Sequence, residues 1–116
     1  MLFRSDFNLL QSSAELIKGT HDFTSFSKHN DKIDNRYCTI YESSWKEDNS
    51  LLNYRICGNR FLHHMVRYLV GTMVEIAKKR YTTDDFEILL KNPQENVHIY
   101  KAPSRGLILE KVEYED

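Results

Sequence analysis

Cysteine is scarce in this sequence. Its 116 residues hold only Cys38 and Cys57, without CxxC spacing, too few for a disulfide scaffold or a four-cysteine zinc site. Both are expected as reduced thiols. Four glycines and two prolines exclude a collagen-like or flexible low-complexity chain. Apolar runs stop at two or three residues, against the roughly 20 needed to span a bilayer, so no membrane partner is expected. The first residues meet Arg4 and Asp6 with no apolar h-region, which reads as no secretory signal and predicts a cytoplasmic location. A Gly-x-Ser-x-Gly elbow and a phosphate-binding Gly-x-x-x-x-Gly-Lys loop are also missing, so serine hydrolysis and nucleotide hydrolysis have no anchor.

What is present suits one folded domain. Hydrophobic residues at 41% and charged residues at 28% match a globular chain, and the length is one domain's worth. The net charge of −1 argues against a generic polyanion binder. Charge is unevenly distributed, however. Residues 55–80 carry Arg55, Arg60, Arg67, Lys78, Lys79 and Arg80 against Glu75 alone, a local basic surface that would concentrate phosphate-bearing partners. A solvated helix face is the plainer reading of the same charges.

Apolar spacing predicts a helix over residues 7–18, stopped by Gly19. Residues 19–28 suit a short helical turn or ordered loop pinned by Phe23 and Phe26, and residues 29–35 are polar and loop-like. Residues 36–45 and 51–57 favour strand and read as a hairpin, whose symmetrical pairing would set Cys38 opposite Cys57. A wide stripe at period 3.6 over residues 61–77 predicts a long buried helix, with Arg60, His63, His64 and Arg67 around its opening turn. Thr82 and Asp85 mark the start of a short helix that ends at Asn92-Pro93. After a loop with Pro103 and Gly106, residues 107–114 read as a last strand. The expected class is α+β, an antiparallel sheet packed against a long helix and shorter helices.

On such a helix, His63 and His64 point about 100° apart with no ligand four residues on, so no metal site is expected. His63 and Arg67 would share a face at i and i+4. Arg67 is either an arginine snorkelling from the apolar stripe or a rigidly held fork for a carboxylate or phosphate. Spacing alone leaves both open.

Three strings narrow the choice. Gly19-Thr20-His21-Asp22-Phe23-Thr24-Ser25-Phe26, then the run from Gly58-Asn59-Arg60-Phe61-Leu62-His63-His64-Met65-Val66-Arg67 through Glu75, and Ala102-Pro103-Ser104-Arg105-Gly106-Leu107-Ile108-Leu109 resemble, in that order, the C-terminal half of the tRNA pseudouridine synthase A family. The resemblance runs over residues 7–114.

The resemblance implies one domain over residues 1–116, half of a pseudouridine synthase fold, whose enzymes isomerise uridine to pseudouridine in the anticodon stem-loop of tRNA without a cofactor. The family's essential Asp sits in a Gly-Arg-Thr-Asp-Ala-Gly motif of an N-terminal half, and that string does not occur here. Arg67 matches the arginine that pairs with that Asp, and Leu107 matches the position that packs on the target uridine. Arg60, His63 and His64 are implied to approach the RNA or to support Arg67. Where many members read Arg-Thr-Ile at the first strand, this chain reads Cys38-Thr39-Ile40. Implied partners are tRNA, the N-terminal half of the same polypeptide and a second copy in a homodimer. A fragment lacking the Asp is expected to be inactive alone. The alternative is a non-catalytic RNA-binding or assembly domain with the same fold.

Overall fold

A computed structural model describes residues 4–27, 35–49, 51–94 and 107–113. Helix α1 (Arg4–Ile17) is followed by strand β1 (Gly19–Asp22) and a 3-10 turn (Thr24–Phe26). Strands β2 (Tyr37–Asp48) and β3 (Leu51–Gly58) come next, then helices α2 (Met65–Ala77) and α3 (Thr83–Lys91), and last strand β4 (Leu107–Glu113). The class is α+β, as the sequence implies. The polar segment at 28–34, the loop with Pro103 and Gly106, and Tyr114 lie outside the described residues.

Helix α1 ends where Gly19 takes φ +99°, a left-handed conformation that glycine adopts without steric cost. Residues 19–22 then pair as a strand, where a turn or loop was expected. Four residues reading Gly-Thr-His-Asp have no apolar alternation to announce a strand; pairing with β2 imposes it. Phe23 and Phe26 do pin the following turn, both wholly buried. Helix α3 starts as read, with the backbone N–H of Asp85 donating to Thr82 Oγ1 at 3.1 Å.

The sheet has four strands in the order β1-β2-β3-β4, and it is mixed: β1, β2 and β3 are antiparallel neighbours, while β4 runs parallel to β3. A parallel neighbour needs a long crossover, and the chain carrying α2 and α3 between β3 and β4 supplies it. The hairpin β2-β3 turns later than symmetry suggests, with Asp48 opposite Leu51 and Asn49 at φ 49°. A register shift between Ile40 and Glu42 marks a bulge. Cys57 therefore faces Glu42, and Cys38 faces His21 of β1, not Cys57. The bulge also switches the inward parity of β2: Cys38 and Ile40 are buried before it, Ser43 and Trp45 after it, as one extra residue must do in a period-two strand.

The core gathers Leu10, Ala14 and Ile17 of α1 with Met65, Leu69, Val70, Met73 and Ile76 of α2, Phe86 of α3, and Trp45, Tyr54 and Ile56 of the sheet. Trp45 and Tyr54 stack with ring centroids 4.9 Å apart. Gln11 docks α1 on the sheet like a strand partner, its Nε2 donating to the Trp45 carbonyl at 2.7 Å and its Oε1 accepting from the Trp45 N–H at 3.0 Å. Neither cysteine is in a disulfide.

Candidate functional site

The segment between β3 and α2 is built around a close backbone approach. A Cβ on Gly58 would lie 2.9 Å from both Thr39 O and Ile40 Cδ1, inside any real contact distance, so glycine lets β3 press against β2 there. Asn59 continues the pairing, its N–H donating to Thr39 O at 3.0 Å and its Oδ1 accepting from the Thr39 N–H at 2.9 Å. Arg60 follows, and its guanidinium donates to the carbonyls of Asn35 at 2.8 Å and Tyr37 at 3.4 Å. Arg60 thereby ties the start of β2 to the segment entering α2.

The long helix begins at Met65, four residues later than the apolar stripe suggests. Phe61 and Leu62 precede it outside any helix, and His63 and His64 form a turn. His64 sits at φ 60°, ψ 5°, and a right-handed helix cannot run through a left-handed residue. The expected sharing of a helical face by His63 and Arg67 is therefore not formed. His64 instead packs between rings, 3.9 Å from the centroid of His63 and 5.9 Å from that of Tyr68, and its carbonyl accepts from the Tyr68 N–H. Histidine visits this region more readily than bulkier residues, and such conformations cluster at functional sites.

Arg67 lies in the first turn of α2, exposed, with no hydrogen-bond or ion-pair partner among the described residues. The first turn contains no acid. A cation near the positive end of a helix is disfavoured by the helix dipole, so an anion placed beside Arg67 would be stabilised twice over. Arg67 and His64 line a groove of about 210 Å³ together with Phe61, Leu62, Met65, Val66 and Lys111. No carboxylate is among those lining residues.

Of the residues singled out in the sequence, the groove unites Arg67 with His64. His63 is not among those lining residues and lies with its ring against that of His64, and Arg60 is engaged on backbone carbonyls. Leu107 opens β4 opposite Leu52, whereas Lys111 stands opposite Ile56, roughly 13 Å further along at about 3.3 Å per strand residue. Lys111 was not foreseen. No local spacing links it to Phe61, fifty residues earlier; the parallel pairing of β4 does. Among the described residues no group of three His, Cys, Asp or Glu could hold a metal ion, and no helix is long and apolar enough to cross a membrane.

A second charged cluster stands on β2, β3 and β4. Arg55 donates through Nε to Glu42 at 3.1 Å and also pairs with Glu110 of β4, while the Cys57 thiol donates to the same Glu42 oxygen at 3.1 Å. The Cys57 thiol and the Arg55 guanidinium hold the Glu42 carboxyl below the usual carboxylate range. Burial and the facing carboxylate push the Cys57 thiol up, so it stays protonated and unreactive near neutrality.

A family model described as tRNA pseudouridine synthase matches residues 14–115. The chain is 41% identical over 109 residues to tRNA pseudouridine synthase A of Dictyoglomus thermophilum, covering 94% of this chain and 44% of that protein. It is 37% identical over 107 residues to the Geobacillus kaustophilus protein of that name, covering 92% and 42%. Against the Bacillus pumilus protein it is 33% identical over 114 residues, covering 98% and 46%. The chain thus spans less than half the length of these curated relatives.

Proposed function

Because the chain belongs to the tRNA pseudouridine synthase family, we propose that it is one domain of an enzyme converting uridine to pseudouridine in tRNA, and that its groove supports a catalytic Asp carried elsewhere in the polypeptide. The observation that carries this reading is Arg67, an exposed arginine in the first turn of α2 that, among the described residues, has no anion partner and shares its groove with no acid. A carboxylate from outside these residues completes the site. The catalytic half, the anticodon stem-loop as target, the cytoplasm as location and a homodimer as assembly belong to the same proposal, supported by the three sequence strings.

The chemistry is an isomerisation, so no atom is gained or lost. The Asp attacks the bound uridine, the bond from the base's ring nitrogen to the sugar breaks, and the base turns and rejoins the sugar through a ring carbon, releasing the carboxylate; that carbon gives up its proton and the freed ring nitrogen takes one up. Arg67 would keep the carboxylate ionised, since an opposite charge within a few ångströms lowers an acid's pKa, and its two-pronged grip would fix the direction of attack. The uridine must leave the helix stack to react, and Leu107 is proposed as the apolar surface that meets it.

Arg67→Ala in the complete enzyme tests this. Expected is a fall in single-turnover rate on the order of 10²-fold or more, typical of a catalytic group displaced by about an ångström, with tRNA affinity nearly unchanged because it is spread over many phosphates. Arg67→Lys should rescue poorly, as an ammonium lacks the fork. Wild-type turnover in Arg67→Ala would favour a non-catalytic RNA-binding or assembly domain.

A further inference from the structure

Among the described residues Lys111 is the one groove-lining residue that comes from β4, the others lying within residues 61–67. Its Nζ stands 5.3 Å from the centroid of the Phe61 ring, within reach of the cation–π attraction that holds an ammonium over an aromatic face. The side chain is exposed, and among the described residues it has no carboxylate partner. Among the described residues the groove therefore presents a placed ammonium and a guanidinium with no acid lining it.

Resting on the function proposed above, we propose that Lys111 binds a backbone phosphate of the RNA strand carrying the target uridine. One carboxylate satisfies one guanidinium in a two-pronged pair, which leaves the second cation of the groove without an anion. Two like charges lining one small groove repel each other, and a second anion offsets that repulsion. The two cations differ in what they suit. Arg67 offers a planar fork to a planar carboxylate, while Lys111 offers a compact, strongly hydrated point charge on a flexible stem, which accepts a tetrahedral phosphodiester from several directions. The Phe61 face restrains that stem, so less freedom is lost on binding. Lys111 thus assists RNA binding, and Arg67 assists the reaction.

The test measures binding of unmodified tRNA and single-turnover rate for the complete enzyme and its Lys111→Gln and Lys111→Arg variants at two salt concentrations. Expected for Lys111→Gln is about tenfold weaker tRNA binding near 50 mM salt and a deficit about threefold smaller near 200 mM, because one fewer counterion is released. Its rate at saturating tRNA should stay within about twofold of wild type, and Lys111→Arg should retain the wild-type salt dependence. An unaltered salt dependence with lost turnover would mean that Lys111 serves the carboxylate, and unaltered binding and rate would mean that it meets no anion; either overturns the proposal. Neither outcome touches the reading of Arg67, which fails only if Arg67→Ala turns over normally.

Discussion

At the scale of single residues, the cluster of Glu42, Arg55 and Cys57 gives the acid limb of stability a specific contributor. Glu42 accepts from the Cys57 thiol and the Arg55 guanidinium through one oxygen, and its pKa is lowered in the folded state. A carboxyl whose folded pKa lies below its unfolded value adds stability above the unfolded pKa and loses it as pH falls through the folded one. Glu42→Gln should therefore lower the melting temperature of the protein at neutral pH, with the gap closing as the medium becomes more acidic than the ordinary carboxylate range. Melting curves across that range check it; a gap independent of pH would assign the loss to packing. The cysteine itself carries no chemistry here. Protonated and covered, Cys57 is a donor to a surface carboxylate, which explains a thiol near the end of β3 without invoking a disulfide or a metal.

At the scale of elements, the hairpin is held by polar groups that the core must satisfy. Ser43 and Tyr54 are both buried with their hydroxyls 2.6 Å apart, and burial raises the Tyr54 pKa well above that of a free phenol. Tyr54→Phe strands the Ser43 hydroxyl, which should destabilise by about 1–3 kcal/mol. The double variant Tyr54→Phe with Ser43→Ala should recover part of that loss, since removing both partners leaves nothing unsatisfied. Denaturant unfolding of both single variants and the double variant reads the coupling, and strictly additive losses would deny the pair. This pair also shows why the elements were partly legible. Helices α1, α2 and α3 announce themselves through apolar spacing and the Thr82 cap, because that information is local. The pairing of Ser43 with Tyr54 rests on a bulge at Ile40–Glu42, and the parallel course of β4 rests on a crossover through two helices; neither leaves a local trace. In the site, Arg67 was legible from its place among apolar residues in a recognisable string. The start of α2 was misjudged because Phe61 and Leu62 fit the period 3.6 while a left-handed His64 bars the helix from reaching them. Lys111 was invisible because only tertiary pairing brings β4 to Phe61.

At the scale of the whole molecule, the groove as proposed is one side of a reaction centre, and that reading predicts what the chain does by itself. Each Asp among the described residues lies away from it: Asp22 accepts from the N–H and hydroxyl of Thr24, Asp6 faces Lys79 at 3.8 Å, Asp48 ends β2 at the hairpin turn, and Asp84 and Asp85 open α3. None of these lines the groove beside Arg67, and the string Gly-Arg-Thr-Asp-Ala-Gly, in which the resemblance places the catalytic Asp, does not occur in these 116 residues. The 116-residue chain incubated with unmodified tRNA should therefore form no pseudouridine, because binding and orientation without a nucleophile cannot open the bond between base and sugar. It should still show weak, salt-sensitive tRNA binding, since Arg67 and Lys111 are both exposed in one groove and neither has a carboxylate partner among the described residues. Direct assay for pseudouridine alongside a binding titration separates these two properties. Product above background would mean that a carboxylate of this chain reaches Arg67, and the division of labour proposed for the groove would fall with it.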